Sequence, residues 1–212
     1  MANLQARSLA GGKSKIIGVL VPSLENGYIS AIAQGIDEEL TKAGYDLMLY
    51  TTHHKQGKEA QYARAIASGL TDGLLLMVPL IPSSQLESNY LTALRQKGFP
   101  YVLIDQTDAA NQSTVVDSNN RQGAYEATTY LIGLGHTRIG FIMGHMEINA
   151  ARERLEGYKT ALKEKNLTFE KLLVVKGDFT QRAGYEAAKA LLQLRQPPTA
   201  IFSPNDLAAF GV

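Results

Sequence analysis

The chain has 212 residues, 45% of them hydrophobic, with 21 Lys and Arg against 20 Asp and Glu. That balance leaves no positive field for gripping a polyanion, and the absence of cysteine excludes disulfides, thiol nucleophiles and cysteine–metal sites. No stretch approaches the roughly 18 consecutive apolar residues of a membrane span, and Met1 to Lys15 lacks the apolar core of a secretory signal. A soluble, cytoplasmic protein of two lobes, each of about 100 residues, is the expectation.

Ile16 to Val21 opens the pattern as an unbroken apolar run, predicted to be a strand covered on both faces. Ile29, Ile32, Ala33, Ile36 and Leu40 then recur three and four apart, a helical stripe closed by Gly44. A second strand over Asp46 to Tyr50 is followed by a stripe of Ala63, Ile66, Ala67 and Leu70. Gly73 to Val78, Tyr101 to Ile104 and Thr114 to Val116 are the next strands, the last two separated only by the polar stretch Thr107 to Ser113. The missing helix between Gln106 and Asn119 breaks the rhythm and marks the passage from one lobe, 14–118, to a second, 119–212. In the second lobe Tyr125, Thr128, Thr129 and Ile132 form a stripe closed by Gly135. Strands follow at Ile139 to Met143, Leu172 to Val175 and Ala200 to Phe202, and Asn205 to Val212 reads as the first two turns of a helix. Such alternation predicts an α/β protein, with parallel sheets flanked by helices on both faces and right-handed crossovers.

In open parallel sheets, ligands bind outside the carboxyl ends of the strands, so the residues just after each strand carry the functional information. After the first strand come Ser23, Glu25, Asn26 and Tyr28; after the fourth, Asp105 and Gln106. The loop Gly144 to Asn149 leads into a helix bearing Arg152 and Arg154, and Ser203 and Pro204 precede Asn205 and Asp206. These groups are expected to converge on a cleft between the lobes. Their chemistry suits a neutral polyol: carboxylates and amides pair with vicinal hydroxyls, a guanidinium adds a fork of donors, and Tyr28 can cover a sugar face.

Plainer roles compete. Asn205 and Asp206 read equally as helix N-cap residues, Arg154 as a solvated residue beside Glu153 and Glu156, and Asp105 as a turn residue. No G-x-G-x-x-G, P-loop or G-x-S-x-G motif is present, so no nucleotide cofactor or nucleophile elbow is indicated. His53 and His54 are adjacent, and His136 and His145 lie in separate loops, so no metal site is expected. His136 is read as capping the helix before it, and His145 as a weaker candidate for ligand contact.

Four segments resemble the LacI/GalR regulators, whose sensor has the type I periplasmic-binding-protein fold. They are ARSLAGGKSKIIGVLVPSLENGY, LGHTRIGFIMG, RLEGYKTAL from Arg154, and PPTAIFSPNDLAAFGV, in family order along nearly the whole chain. The resemblance implies effector contact by Asp105, Arg154, Asn205 and Asp206, with Ser23, Asn26 and Tyr28 lining the same cleft. It implies a hinge-helix remnant and linker over 1–13, with Arg7 on it and Leu9 at the position where such proteins wedge a leucine between base steps. It further implies a homodimer that senses a sugar-type effector, needs no cofactor, performs no catalysis, and reaches operator DNA only through a helix-turn-helix head. By the same resemblance, the sequence is expected to lack that head before residue 1 and the family's closing strands after residue 212. Asn119-Asn120 stands where the family usually has Asp-Asn. A periplasmic sugar-binding protein of a transporter shares the fold and is the alternative; an α/β enzyme with an unrecognised site is a third reading.

Overall fold

A computed structural model describes residues 13–53, 55, 57–77, 85–106 and 112–212, with backbone alone for 85–89. Arg7 and Leu9, most of the hinge segment 1–13, His54, Val78 and part of the Thr107–Ser113 stretch lie outside the described residues. The chain divides into two compact units, the first ending at Asp117 and the second running Ser118–Val212.

The first unit holds β1 (Ile16–Val21), α1 (Gly27–Lys42), β2 (Asp46–Thr51), α2 (Lys58–Ile66), β3 (Gly73–Leu76), α3 (Gln85–Gln96), β4 (Tyr101–Ile104) and β5 (Thr114–Val116). Its sheet has the order β2-β1-β3-β4-β5, every pairing parallel. Alternate side chains of a strand point to opposite faces, and β1 uses both. Leu20 joins Leu74, Leu76 and Leu103 under Ala63 and Ile66 of α2 and Tyr90 and Leu94 of α3. Val19 and Val21 face the other way, onto Ile29, Ile32 and Ile36 of α1. Gly18 is what lets α2 settle so low: a Cβ there would come within 2.6 Å of Ile66.

Chain entry into this unit is pinned by one carboxylate. Asp72 accepts from the Ser14 N–H at 2.7 Å, the Ser14 hydroxyl at 2.8 Å and the Lys15 N–H at 3.0 Å. Burial pushes the Asp72 carboxyl up, but these bonds and the charge of Lys13 outweigh it and hold the group below the usual carboxylate range.

The second unit holds α4 (Asn120–Gly133), β6 (Ile139–Met143), α5 (Asn149–Glu164), a 3-10 turn (Lys171–Leu173), β7 (Val174–Lys176), α6 (Gln181–Leu192), β8 (Ala200–Phe202) and α7 (Asp206–Ala209). Its sheet is β7-β6-β8, again parallel. Ile139 and Phe141 pack on Leu155, Tyr158 and Leu162 of α5, with Leu131 and Ile132 of α4 alongside. Ile142 faces Ala187 and Leu191 of α6. Phe141 stacks on Phe202, centroids 4.9 Å apart. Helices α4 and α5 approach closely because residue 157 is glycine: a Cβ there would run into the Arg121 carbonyl. Tyr158 is fully buried and donates its hydroxyl to the Ile139 carbonyl at 2.8 Å. Burial pushes its phenol up to about 12.

The α/β class and parallel sheets follow the hydrophobic pattern, but four local readings change. β5 is not covered on both faces: all three residues are exposed, as an edge strand allows. Leu172 belongs to a 3-10 turn, and the strand starts at Val174. α2 stops at Ile66, leaving Ala67 and Leu70 beyond it. The last helix is a single turn over Asp206–Ala209 rather than the start of two. Among the described residues, no helix is long and apolar enough to cross a membrane, and no three His, Asp or Glu side chains are grouped to hold a metal.

Candidate functional site

The loop after β1 is ordered by its own short polar side chains. Ser23 Oγ accepts from the Glu25 N–H at 3.1 Å, and Asn26 caps α1 by accepting from the Tyr28 N–H at 2.9 Å. The cap sets Tyr28 in the first turn of α1. From there its hydroxyl donates to Asp105 Oδ2 at 2.6 Å, although 77 residues separate the two. Asp105 has a left-handed backbone, φ 53°, and its N–H donates to the Val116 carbonyl at 3.0 Å. The chain therefore bends at Asp105, which also presents a carboxylate. Next to it Gln106 is buried, donating Nε2 to the Leu76 carbonyl at 3.1 Å, while its Oε1 has no partner among the described residues.

In the second unit the strand-end polar groups are mostly spent on the protein itself. Arg154 donates from Nε at 3.0 Å and Nη2 at 2.8 Å to Asn120 Oδ1, and from Nη1 to the Pro204 carbonyl. Reading Arg154 as a solvated neighbour of Glu153 and Glu156 is thus corrected: it is a half-buried brace between α5, α4 and the β8–α7 turn. Arg152 serves the loop before it, donating to the Met146 and Glu147 carbonyls at 2.8 and 2.9 Å. Asn205 is the N-cap of α7, accepting from the Ala208 N–H at 3.0 Å, and its amide donates to the Phe179 carbonyl at 3.0 Å. Asp206, in the first turn of α7, is exposed. Asn119 caps α4 through the Gln122 N–H at 3.2 Å. The His136 ring bonds Thr199 Oγ1 at 2.9 Å, so only its backbone N–H, on the Leu131 carbonyl, closes the helix before it.

Phe179 was not singled out by the sequence pattern, and the structure makes it prominent. It follows β7, has φ 71°, and lies so close on Gly144 that a Cβ there would overlap its ring. The His145 ring meets it edge-on at 5.9 Å. Asp178 beside it accepts from Thr180 Oγ1 at 2.6 Å and N–H at 3.0 Å. The Thr180 hydroxyl, opposed by burial and helped by the Thr180 N–H and the charge of His145, holds the Asp178 carboxyl below its usual range. The available signal was Gly177-Asp178 before the capping Thr180: a strand-to-helix turn with an aromatic inside it.

These strand-end loops can recognise a small polar molecule through hydroxyl, carboxylate and aromatic groups. The sequence matches, over residues 14–212, the family model described as periplasmic binding proteins and sugar binding domain of LacI family. It is 34% identical over 208 residues to the HTH-type transcriptional repressor PurR of Photobacterium profundum, covering 98% of this chain and 61% of that protein. It is 32% identical over 212 residues to the catabolite control protein A of Priestia megaterium, covering 99% of this chain and 62% of that protein. The chain thus spans about three fifths of the length of these curated relatives. Its structure is similar to transcription regulator CcpA of Lactococcus lactis, with a TM-score of 0.79 at 27% identity over 92% of this chain and 70% of that one. A LacI family transcriptional regulator from Enterococcus faecium, solved with bound ribose, gives a TM-score of 0.76 at 27% identity over 92% of this chain and 69% of that one.

Proposed function

We propose, for a chain that belongs to the family of periplasmic binding proteins and LacI-family sugar-binding domains, that it is the effector-sensing part of a cytoplasmic, homodimeric transcriptional regulator. The effector is a small sugar-type molecule, and its binding biases a two-state equilibrium that sets operator affinity. Contact with DNA is assigned to a helix-turn-helix head and to a hinge carrying Arg7 and Leu9. In this reading 14–118 and 119–212 are the two sensor lobes, and the chain performs no catalysis. The PurR relative is named a transcriptional repressor, which favours this reading over a transporter component.

The observation that carries the effector assignment is the Tyr28–Asp105 pair at the carboxyl end of the five-stranded sheet. It puts an acceptor and an aromatic face where parallel sheets bind ligands. Ser23, Asn26, Tyr28 and Asp105 are proposed as effector contacts, as are Arg154, Asn205 and Asp206, with Phe179 added. Asn205 also caps a helix.

Thermal melts of this chain against a panel of sugars and nucleobases test the proposal. A specific ligand at 100 times its Kd stabilises by about 2.7 kcal/mol, a rise of roughly 5–11 °C for a chain of this size. A saturable shift with one sugar class is the expected result. A cooperative melt that no compound moves rejects the sugar-type effector.

A further inference from the structure

Tyr28 is half exposed, at 51%. Its hydroxyl is held by Asp105, at a separation typical of a hydroxyl donating to a charged oxygen. The backbone of the acceptor has φ 53° and is tied by its N–H to the Val116 carbonyl of the neighbouring strand. The donor is placed by the Asn26 cap, which fixes the first turn of α1. A carboxylate at a strand end is thus already engaged by a hydroxyl group, supplied by the chain's own tyrosine.

Building on the effector reading above, we propose that the Tyr28 hydroxyl is a place-holder for an effector hydroxyl on Asp105. Without effector it satisfies the carboxylate; an effector enters by displacing it and donating in its place. Tyr28 then acts as a specificity residue. A ligand with a hydroxyl at that point exchanges one donor for another, whereas a ligand lacking one leaves a carboxylate without its bond and is rejected. The latch also lowers affinity for the correct ligand, because a bond must be broken before one is made.

The test uses this chain with Tyr28→Phe, Asp105→Asn and the double variant. Urea unfolding without ligand closes a double-mutant cycle; the latch is expected to appear as a coupling of roughly two- to fivefold in the unfolding constant. Calorimetric titration with D-ribose then compares affinities. Tyr28→Phe is expected to bind D-ribose roughly two- to fivefold more tightly, since the competing bond is gone, and Asp105→Asn more weakly than the parent. Absence of coupling in the cycle overturns the latch whatever the ligand result. Weaker D-ribose binding by Tyr28→Phe with coupling intact also overturns it, since the hydroxyl then supports the bound state rather than competing with it. If D-ribose binds no variant while the coupling persists, the titration is repeated with the panel compound that shifts the parent's melt. Tighter binding of it by Tyr28→Phe then supports the place-holder, and equal or weaker binding overturns it. A panel with no such compound rejects the effector reading itself.

Discussion

In the five-stranded unit, Tyr28 and Asp105 meet across the sheet end on a half-exposed side chain. In the three-stranded unit, Arg154, Asn205 and Arg152 are tied to carbonyls and amides of neighbouring loops. The strands that carry these loops differ in length. β1 and β2 have six residues each, whereas β7 and β8 have three, although β6 between them packs helices on both faces as β1 does. Side-chain braces tie the loops around β8, and at a strand end a brace and a ligand contact draw on the same polar groups.

The sharpest way to break the comparison is at the closest helix contact of the second unit. Gly157→Ala puts a methyl group into the Arg121 carbonyl, with no flexible side chain to yield. A loss of about 3 kcal/mol is expected by urea unfolding; a loss below about 1 kcal/mol would show that α4 and α5 shift apart freely. Arg154→Leu comes next. It leaves the buried Asn120 Oδ1 without its two donors, and about 2 kcal/mol should be lost. Lysine should not restore it, lacking the planar fork. Faster amide exchange at Asn205 and Ala208 would mark release of the β8–α7 turn.

The smallest effect belongs to the first unit. Asp72→Asn weakens the clasp on Ser14 and Lys15 and should cost about 1 kcal/mol near pH 7. The folded carboxyl lies below its unfolded value of about 3.9. Its contribution is therefore present above that pH and lost as pH falls through the folded value. Parent and variant melts should converge in acid; a gap that stays constant down to pH 2 would exclude the carboxylate charge as the cause.

Much of this architecture is legible in the chain because it is written in local periods. The apolar run Ile16 to Val21 and the stripe from Ile29 to Leu40 name β1 and α1 before any contact is known. β5 reads wrongly because Thr114 to Val116 has the composition of a buried strand, while its exposure depends on which edge of the sheet it joins. The same split runs through the candidate site. Ser23, Asn26, Asp105 and Asn205 can be placed after their strands by counting along the chain, and one of the plainer readings, a cap for Asn205, is met in the structure. Phe179 escapes notice because nothing beside it in sequence shows that Gly144 and His145 lie against its ring.

The sequence by itself determined the α/β alternation, the strand-end position of the polar groups and the family pattern, since each rests on neighbours within a turn or two of chain. Only the tertiary structure decided what those groups hold: Tyr28 on Asp105, Arg154 on Asn120 and Pro204, Asn205 on Phe179. A hydrogen bond depends on direction and distance between atoms that lie 26 to 77 residues apart here. Such proximity is set by how helices and strands pack, and no local period encodes it.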